Sequence, residues 1–233
     1  MEINRYIDHS VLFPNMTKQM AQDAIRLGID YETKTVCVRP CDIDMAVNMC
    51  AGTKTGVSCV LDFPHGTGGA VAKGELAALY VSQGVNEIDM VMDYSAALSG
   101  NWDIVAEGIN NVLNVAHEKG VLVKVIFETS ELSLEQIGKA SIISVAAGAD
   151  FIKTSTGFAG GVTVDAVKCM LETAGDKVKV KVSGGVVDFK SAKLFVDMGA
   201  MRLGVKYSNT PVIVDGISNA DATSNAKGIG SSY

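Results

Sequence analysis

The stretch Ala149-Asp150-Phe151-Ile152-Lys153-Thr154-Ser155-Thr156-Gly157-Phe158-Ala159-Gly160-Gly161 decides how the rest of the chain is read. A short apolar run, Phe151 and Ile152, ends in one lysine and then breaks into small hydroxyl residues and glycine. That pattern predicts a buried β-strand delivering an amine to its C-terminal end, followed at once by a loop. Residues 162–174 then read as a helix, with apolar side chains at Val164, Val167, Leu171 and Ala174. A lysine in an apolar core is costly to keep charged, because burial disfavours the ammonium form. A lone strand lysine more often reaches past the strand end to water, so the weight given to Lys153 depends on its company.

Working outward, short apolar runs alternate with longer amphipathic ones throughout. Strands are expected at 5–8, 35–38, 57–61, 87–91, 122–127, 151–153, 178–182 and 201–204, with helix-period segments at 18–27, 40–49, 72–82, 102–119, 133–147, 162–174 and 189–198. Spacing such as Ile104, Ile109, Val112, Val115 and Ala116 marks one buried helix face. Gly84, Gly120, Gly148 and Gly199 stand where helices stop, and Glu135 and Asp165 sit in first turns, where the helix dipole favours negative charge. Eight strands in one alternating series is the count for a single-domain (β/α)8 TIM barrel over residues 1–218. An open doubly wound sheet competes with it, but the G-x-G-x-x-G fingerprint after the first strand is missing. Residues 219–233 (NADATSNAKGIGSSY) are small, polar and glycine-bearing, and read as a flexible tail.

Composition narrows the function classes. The 233 residues carry a net charge of -6 and are 48% hydrophobic, enough for a sizeable core. A pI near 5.1 gives no support for nucleic acid or an anionic membrane as the main partner. No stretch reads as a membrane span or a signal peptide. The five cysteines, Cys37, Cys41, Cys50, Cys59 and Cys169, are odd in number and include no C-x-x-C pair, so reduced thiols and a cytoplasmic location are expected. His9, His65 and His117 are too scattered for a metal site, and no metal or other cofactor is implied.

In a barrel, functional side chains sit where strands end and loops begin. Those positions hold Asp8 and His9, Cys37 and Arg39, Asp62 and His65, Asp89, Lys124 with Glu128, Lys153, and Lys181 followed by Ser183-Gly184-Gly185. Two lysines on neighbouring strands each raise the cost of charging the other, and partial burial pushes the same way. A lysine brought toward neutrality is a free amine able to attack a carbonyl and form a Schiff base. Asp89 is placed to move protons. A structural Lys-Asp ion-pair network fits the spacing equally well.

The motifs decide further. ADFIKTSTGF, VKVSGGV, NEIDMVMD, LVKVIFETSEL, YIDHSVLFP and TVCVRP, in order from about Tyr6 to Gly204, resemble the 2-deoxyribose-5-phosphate aldolase family of class I aldolases on a TIM barrel. The resemblance implies that Lys153 forms the Schiff base, that Lys181 lowers its pKa and that Asp89 is the acid/base residue. It also implies that Cys37 lies near the substrate and Lys124 near the lysine pair. Thr156, Ser183, Gly184, Gly185, Gly204 and Lys206 complete the expected substrate-binding set. A homodimer is common among such barrels. Some members end in a tyrosine on a flexible tail that assists proton transfer, and Tyr233 is last here.

The chain also departs from the family pattern. Phe13 replaces a basic residue of the opening motif, Asp62 stands where glycine usually precedes Phe63-Pro64, and the loop after Lys153 is shorter. After Arg202-Leu203-Gly204, two small hydroxyl residues are replaced by Val205-Lys206. Backbone N–H groups at Ser183, Gly184 and Gly185 are suited to an anion, and Lys206 is placed either to add charge there or to face solvent. His65 replaces an apolar family residue in its loop, as a contact for an unusual substrate. The expectation is an aldolase acting on 2-deoxy-D-ribose 5-phosphate or on a related, even non-phosphorylated, sugar or keto substrate. A sugar-phosphate isomerase and a non-catalytic sugar-binding relative are the alternatives.

Overall fold

A computed structural model of the chain describes residues 2–216. The expected tail at 219–233, with Tyr233, lies outside the described residues. Eight strands run parallel in chain order: β1 (Ile7–Val11), β2 (Thr35–Val38), β3 (Gly56–Leu61), β4 (Glu87–Val91), β5 (Leu122–Ile126), β6 (Phe151–Lys153), β7 (Lys179–Ser183) and β8 (Arg202–Lys206). Each pairs with its neighbours and β8 pairs with β1, so the sheet is closed and the open-sheet alternative is excluded. The helices outside are α1 (Lys18–Asp30), α2 (Ile43–Cys50), α3 (Ala70–Ser82), α4 (Tyr94–Leu98), α5 (Trp102–His117), α6 (Leu134–Ala147), α7 (Val164–Ala174), α8 (Phe189–Met198) and α9 (Thr210–Asp215).

Local chemistry accounts for these boundaries. Side chains of Thr17, Asp93, Ser133, Thr163 and Asp188 accept a backbone N–H at the start of α1, α4, α6, α7 and α8, each worth about 1 kcal/mol. Gly148 and Gly199 adopt the left-handed conformation that ends α6 and α8. The main apolar core lies between the barrel's outer surface and the helices, with Val36, Ile88, Val123, Ile152 and Leu203 fully buried against residues such as Ala24, Ile109 and Val167. α1 comes close at Gly28, where a Cβ would stand 2.7 Å from Val36 Cγ1.

The first and last strands differ most from the sequence reading. Residues 3–6 form a 3-10 turn and not the start of a strand, because the Arg5 guanidinium turns back to the carbonyls of Glu32, Thr33 and Lys54 at 2.8, 3.0 and 3.2 Å. β1 continues to Val11 and β8 to Lys206, with Ser10 and Lys206 in register; polar side chains there face the barrel mouth instead of ending the strand. α4 and α9 were not foreseen, being too short to show a period. No helix among the described residues is long and apolar enough to cross a membrane.

Candidate active site

Barrel interiors are usually filled by layers of branched apolar side chains; this one holds a column of charge. Asp8 from β1, Glu87 and Asp89 from β4, Lys124 from β5, Lys153 from β6, Lys181 from β7 and Arg202 from β8 are all buried. Strand register assembles them. Asp89 is opposite Lys124, and Lys153 is opposite Lys181. Lys153 Nζ donates to Asp89 Oδ2 at 2.8 Å, and Lys181 Nζ to the same oxygen at 2.7 Å. Lys181 also reaches Asp8 Oδ2 at 2.5 Å. Lys124 bridges Asp89 Oδ1 at 2.6 Å and Glu87 Oε2 at 2.5 Å, while Arg202 forks onto Glu87 at 2.9 and 3.2 Å and onto Asp8 at 2.6 Å. Arg202 also stacks 5.1 Å over the Phe151 ring. Thr35 and Ser58 hydroxyls complete the carboxylates of Asp8 and Asp89 at 2.7 and 2.9 Å.

The charge count singles out one group. Three carboxylates face four bases, so with every group ionised the column carries one uncompensated positive charge in a buried place, where that is expensive. Burial alone pulls every one of the three lysines down. For Lys124 the attraction of Asp8, Asp89 and Glu87 overcomes it and holds the ammonium well above its ordinary range; for Lys181, Asp8 and Asp89 do the same. For Lys153, burial and the charge of Lys181 outweigh the attraction of Asp89, and its pKa falls. Lys153 is therefore the lysine of the column whose ammonium is least favoured. Asp89, although burial opposes ionisation, is held well below the carboxylate range by Lys124, Lys153 and Lys181.

Above this column a cavity of about 380 Å³ opens at the C-terminal end of the barrel. Lys153 is in its wall, with Ser10, Phe13, Thr156, Phe158, Ser183 to Val187, Gly204, Lys206 and Asn209 among the other lining residues. The backbone N–H groups of Gly184, Gly185 and Val186 have no partner among the described residues. Gly204 is required where β8 passes β7, since a Cβ would lie 2.6 Å from Ser183 Cβ. Lys206 Nζ rests 4.8 Å over the Phe13 ring, and Phe13, Phe158 and Phe63 continue as a chain of aromatic contacts at 6.3 and 5.5 Å across the rim. A larger hollow of about 530 Å³, lined by Lys34, Cys50, Lys54 and Asn86, opens at the opposite end and does not include Lys153.

The structure thus brings Lys153, Lys181 and Asp89 together, and places Thr156, Ser183, Gly184, Gly185, Gly204 and Lys206 around one cavity. Lys206 is part of the wall and is also exposed, so it meets both the cavity and solvent. Cys37 and Lys124 are fully buried and absent from the wall: Lys124 is level with Phe151, two residues below Lys153, and Cys37 is level with Ser58. They meet the lysine cluster and not the open space. Gly184 and Gly185 precede the α8 cap Asp188, so their donors belong to a loop and not to the helix N-terminus. Asp8 lies low in β1 and not at its end. Glu128 is outside β5, in the left-handed conformation with φ 58°. His65 is exposed and outside the wall. His9 is structural: Nε2 donates to the Ala24 carbonyl at 2.8 Å and Nδ1 meets the Thr210 hydroxyl at 2.8 Å.

Glu87 and Arg202 were missed as members of the site, because only strand ends were searched. Alternation carried the signal: Glu87 with Asp89, and Arg202 with Gly204 and Lys206, share the inward parity of their strands.

With this geometry in place, comparison with known proteins is informative. A family model described as DeoC/LacD family aldolase matches residues 4–204. A deoxyribose-phosphate aldolase of an Exiguobacterium species is 39% identical over 95% of this chain and 100% of its own. One from Caldanaerobacter subterraneus is 41% identical over 88% of this chain and 89% of its own. Among solved structures, the aldolase QR15 superposes with a TM-score of 0.85 at 32% identity, covering 98% of this chain and 99% of its own. A deoxyribose phosphate aldolase from Aeropyrum pernix, described as tetrameric, gives 0.82 at 26%, covering 91% and 88%. The match over residues 4–204, nearly the whole barrel, means that this chain belongs to the DeoC/LacD family of aldolases.

Proposed function

We propose that the protein is a class I aldolase that reversibly cleaves 2-deoxy-D-ribose 5-phosphate to acetaldehyde and D-glyceraldehyde 3-phosphate, with Lys153 as the Schiff-base residue. The observation that carries this reading is the buried Lys153 amine, the one base in the column that pairs with a single carboxylate, opening onto the cavity. In the synthetic direction its nitrogen attacks the acetaldehyde carbonyl, and the carbinolamine loses water to give an iminium. The adjacent methyl carbon then releases a proton, and the resulting enamine attacks the carbonyl of the acceptor. Water adds to the product iminium and frees the lysine. Lys181, held cationic by Asp8 and Asp89, is the acid for departing and arriving oxygens; the Asp89 carboxylate passes protons between the two lysines. Free N–H groups at Gly184, Gly185 and Val186, with the Lys206 ammonium, form the end suited to a phosphate. They stand in for the hydroxyl pair that β8 lacks. An isomerase needs no depressed amine, and the column offers no other use for one.

The test is borohydride trapping with 2-deoxyribose 5-phosphate and with acetaldehyde, followed by peptide mapping. Adducts on Lys153 from both compounds are expected, and Lys153→Ala should lose trapping and turnover together. An adduct from acetaldehyde alone would keep the aldolase and discard the phosphate substrate. Turnover near normal in Lys153→Ala would overturn the mechanism.

A further inference from the structure

Resting on the aldolase reading, one buried acid outside the charged column bears on which substrates the cavity admits. Glu128 is only 1% exposed. Its Oε2 accepts both the Thr156 backbone N–H, at 3.2 Å, and the Thr156 hydroxyl. Its Oε1 is buried with no partner among the described residues. Glu128 also holds a left-handed backbone, φ 58°, a conformation that costs energy for a residue of this kind. A strained, buried carboxylate kept for two bonds to one threonine is informative about that threonine.

A hydroxyl has one proton and two lone pairs. Thr156 gives its proton to Glu128, and one lone pair takes the Phe158 N–H at 3.1 Å. Only an acceptor position is left, and Thr156 is in the cavity wall three residues from Lys153. Ser183, across the same cavity, has likewise given its hydroxyl proton away, to the Ser155 carbonyl. The wall is therefore sorted by polarity. Unpartnered N–H groups and Lys206 line the end suited to an anion, whereas lone pairs from Thr156 face the region nearer the amine. Lone pairs repel a phosphate and reward a group that donates. Burial pushes the Glu128 pKa up against the two Thr156 bonds, and a proton arriving there finds Oε1 free, which leaves the bonds at Oε2 intact.

We infer that Glu128 is a specificity-determining positioning residue: by taking the Thr156 proton it fixes Thr156 as an acceptor, which selects acceptor aldehydes carrying a donating hydroxyl on the carbon next to the carbonyl. The oxygen formed from the acceptor carbonyl itself belongs to Lys181 and Asp89, so the neighbouring hydroxyl is the one left for Thr156.

The experiment measures kcat/KM in the synthetic direction with acetaldehyde as donor and two acceptors, D-glyceraldehyde 3-phosphate and 3-oxopropyl phosphate, which lacks only that hydroxyl. The wild-type protein should prefer the hydroxylated acceptor about tenfold or more, because a site built around a hydrogen bond is left unpaired by the analogue. Glu128→Ala should reduce the ratio to within about threefold. Glu128→Gln, whose amide oxygen takes the same two bonds, should keep it. Should Glu128→Ala fail to fold, Thr156→Val reports the same loss and Thr156→Ser the same retention. A wild-type ratio near one, or an unchanged ratio in Glu128→Ala or in Thr156→Val, would overturn the role of Glu128. Wild-type trapping of acetaldehyde is run alongside: an adduct on Lys153 with an unchanged ratio rejects Glu128 alone, while absence of the adduct rejects the aldolase reading and this inference with it.

Discussion

At the scale of single residues, the chemistry turns on which of four buried bases is short of a carboxylate. Lys153 shares Asp89 with Lys181 and Lys124, and each of those has a further acid, Asp8 or Glu87, which it shares with Arg202. Removing Lys181 changes the count. In Lys181→Leu, Asp89 keeps one cation fewer and Lys153 is needed as its partner, so the amine stays protonated to higher pH. The acid limb of the kcat/KM profile should move up by about one to two pH units, with activity at neutral pH falling accordingly; an unmoved limb would show that Lys181 does not set the amine. The lysine pair and Asp89 were legible from the sequence because the motif words name them and strand register then joins them. Glu87 and Arg202 were not, since a charge two residues below a strand end looks like a floor residue until the barrel closes around it. Thr156 was legible as a contact, but its polarity was not, because which way a hydroxyl gives its proton depends on Glu128 from another strand.

At the scale of elements, the departures from the family pattern have local physical accounts. Asp62, in the place of a glycine, has φ 52° at the end of β3, a conformation that Asp tolerates better than most side chains. Its carboxylate meets the buried Lys73 of α3, which also donates to the Gly66 and Val91 carbonyls at 2.8 and 2.9 Å. One lysine therefore pins the loop that carries Phe63 to the rim. Lys73→Met should leave an acid and two carbonyls without their donor and cost about 3 kcal/mol, read as a lower urea midpoint at unchanged m-value. A variant as stable as wild type would show that water replaces the ammonium without penalty. Strand and helix positions were legible because apolar runs and caps are local signals. α4 and α9 were not, since a helix of five or six residues has no period to read.

At the scale of the whole molecule, His9 joins the beginning of the chain to its end. It lies on β1, leans on α1 at the Ala24 carbonyl and meets Thr210 of α9, 201 residues away. Burial lowers its pKa from 6.5 to about 4, against the pull of the Ala24 bond. Because the unfolded chain takes up this proton below pH 6.5 and the native one does not until about 4, stability falls as pH drops through that window. The loss at pH 4 is about 3 kcal/mol from this group, and the carboxylates Asp8 and Asp89 add theirs only at lower pH. His9→Gln should be less stable at pH 7 yet lose less between pH 7 and 4.5, measured by urea unfolding at the two values. An equal loss in both proteins would assign the acid sensitivity elsewhere. The closed barrel was legible as a count of eight alternating units; that its two ends are latched by a neutral histidine was not.

The charged column also bears on how the protein comes into being. Its members arrive from six strands, and the first, Asp8, waits for Lys181 and Arg202, which are made almost two hundred residues later. Until β7 and β8 dock, Asp8 has only Lys124, at 3.4 Å, as a counter-charge, and the Lys153 amine lacks its cationic neighbour Lys181. Long-range contacts of this kind form late and slowly. On the proposed mechanism the reactive amine is thus a product of closure, and partly assembled chains carry an ordinary, protonated lysine that is slower to attack aldehydes. In a refolding time course, borohydride-trappable amine should appear with the slowest phase, after helix content has recovered; trapping that tracks the early helical signal would show that the amine is activated before the barrel shuts.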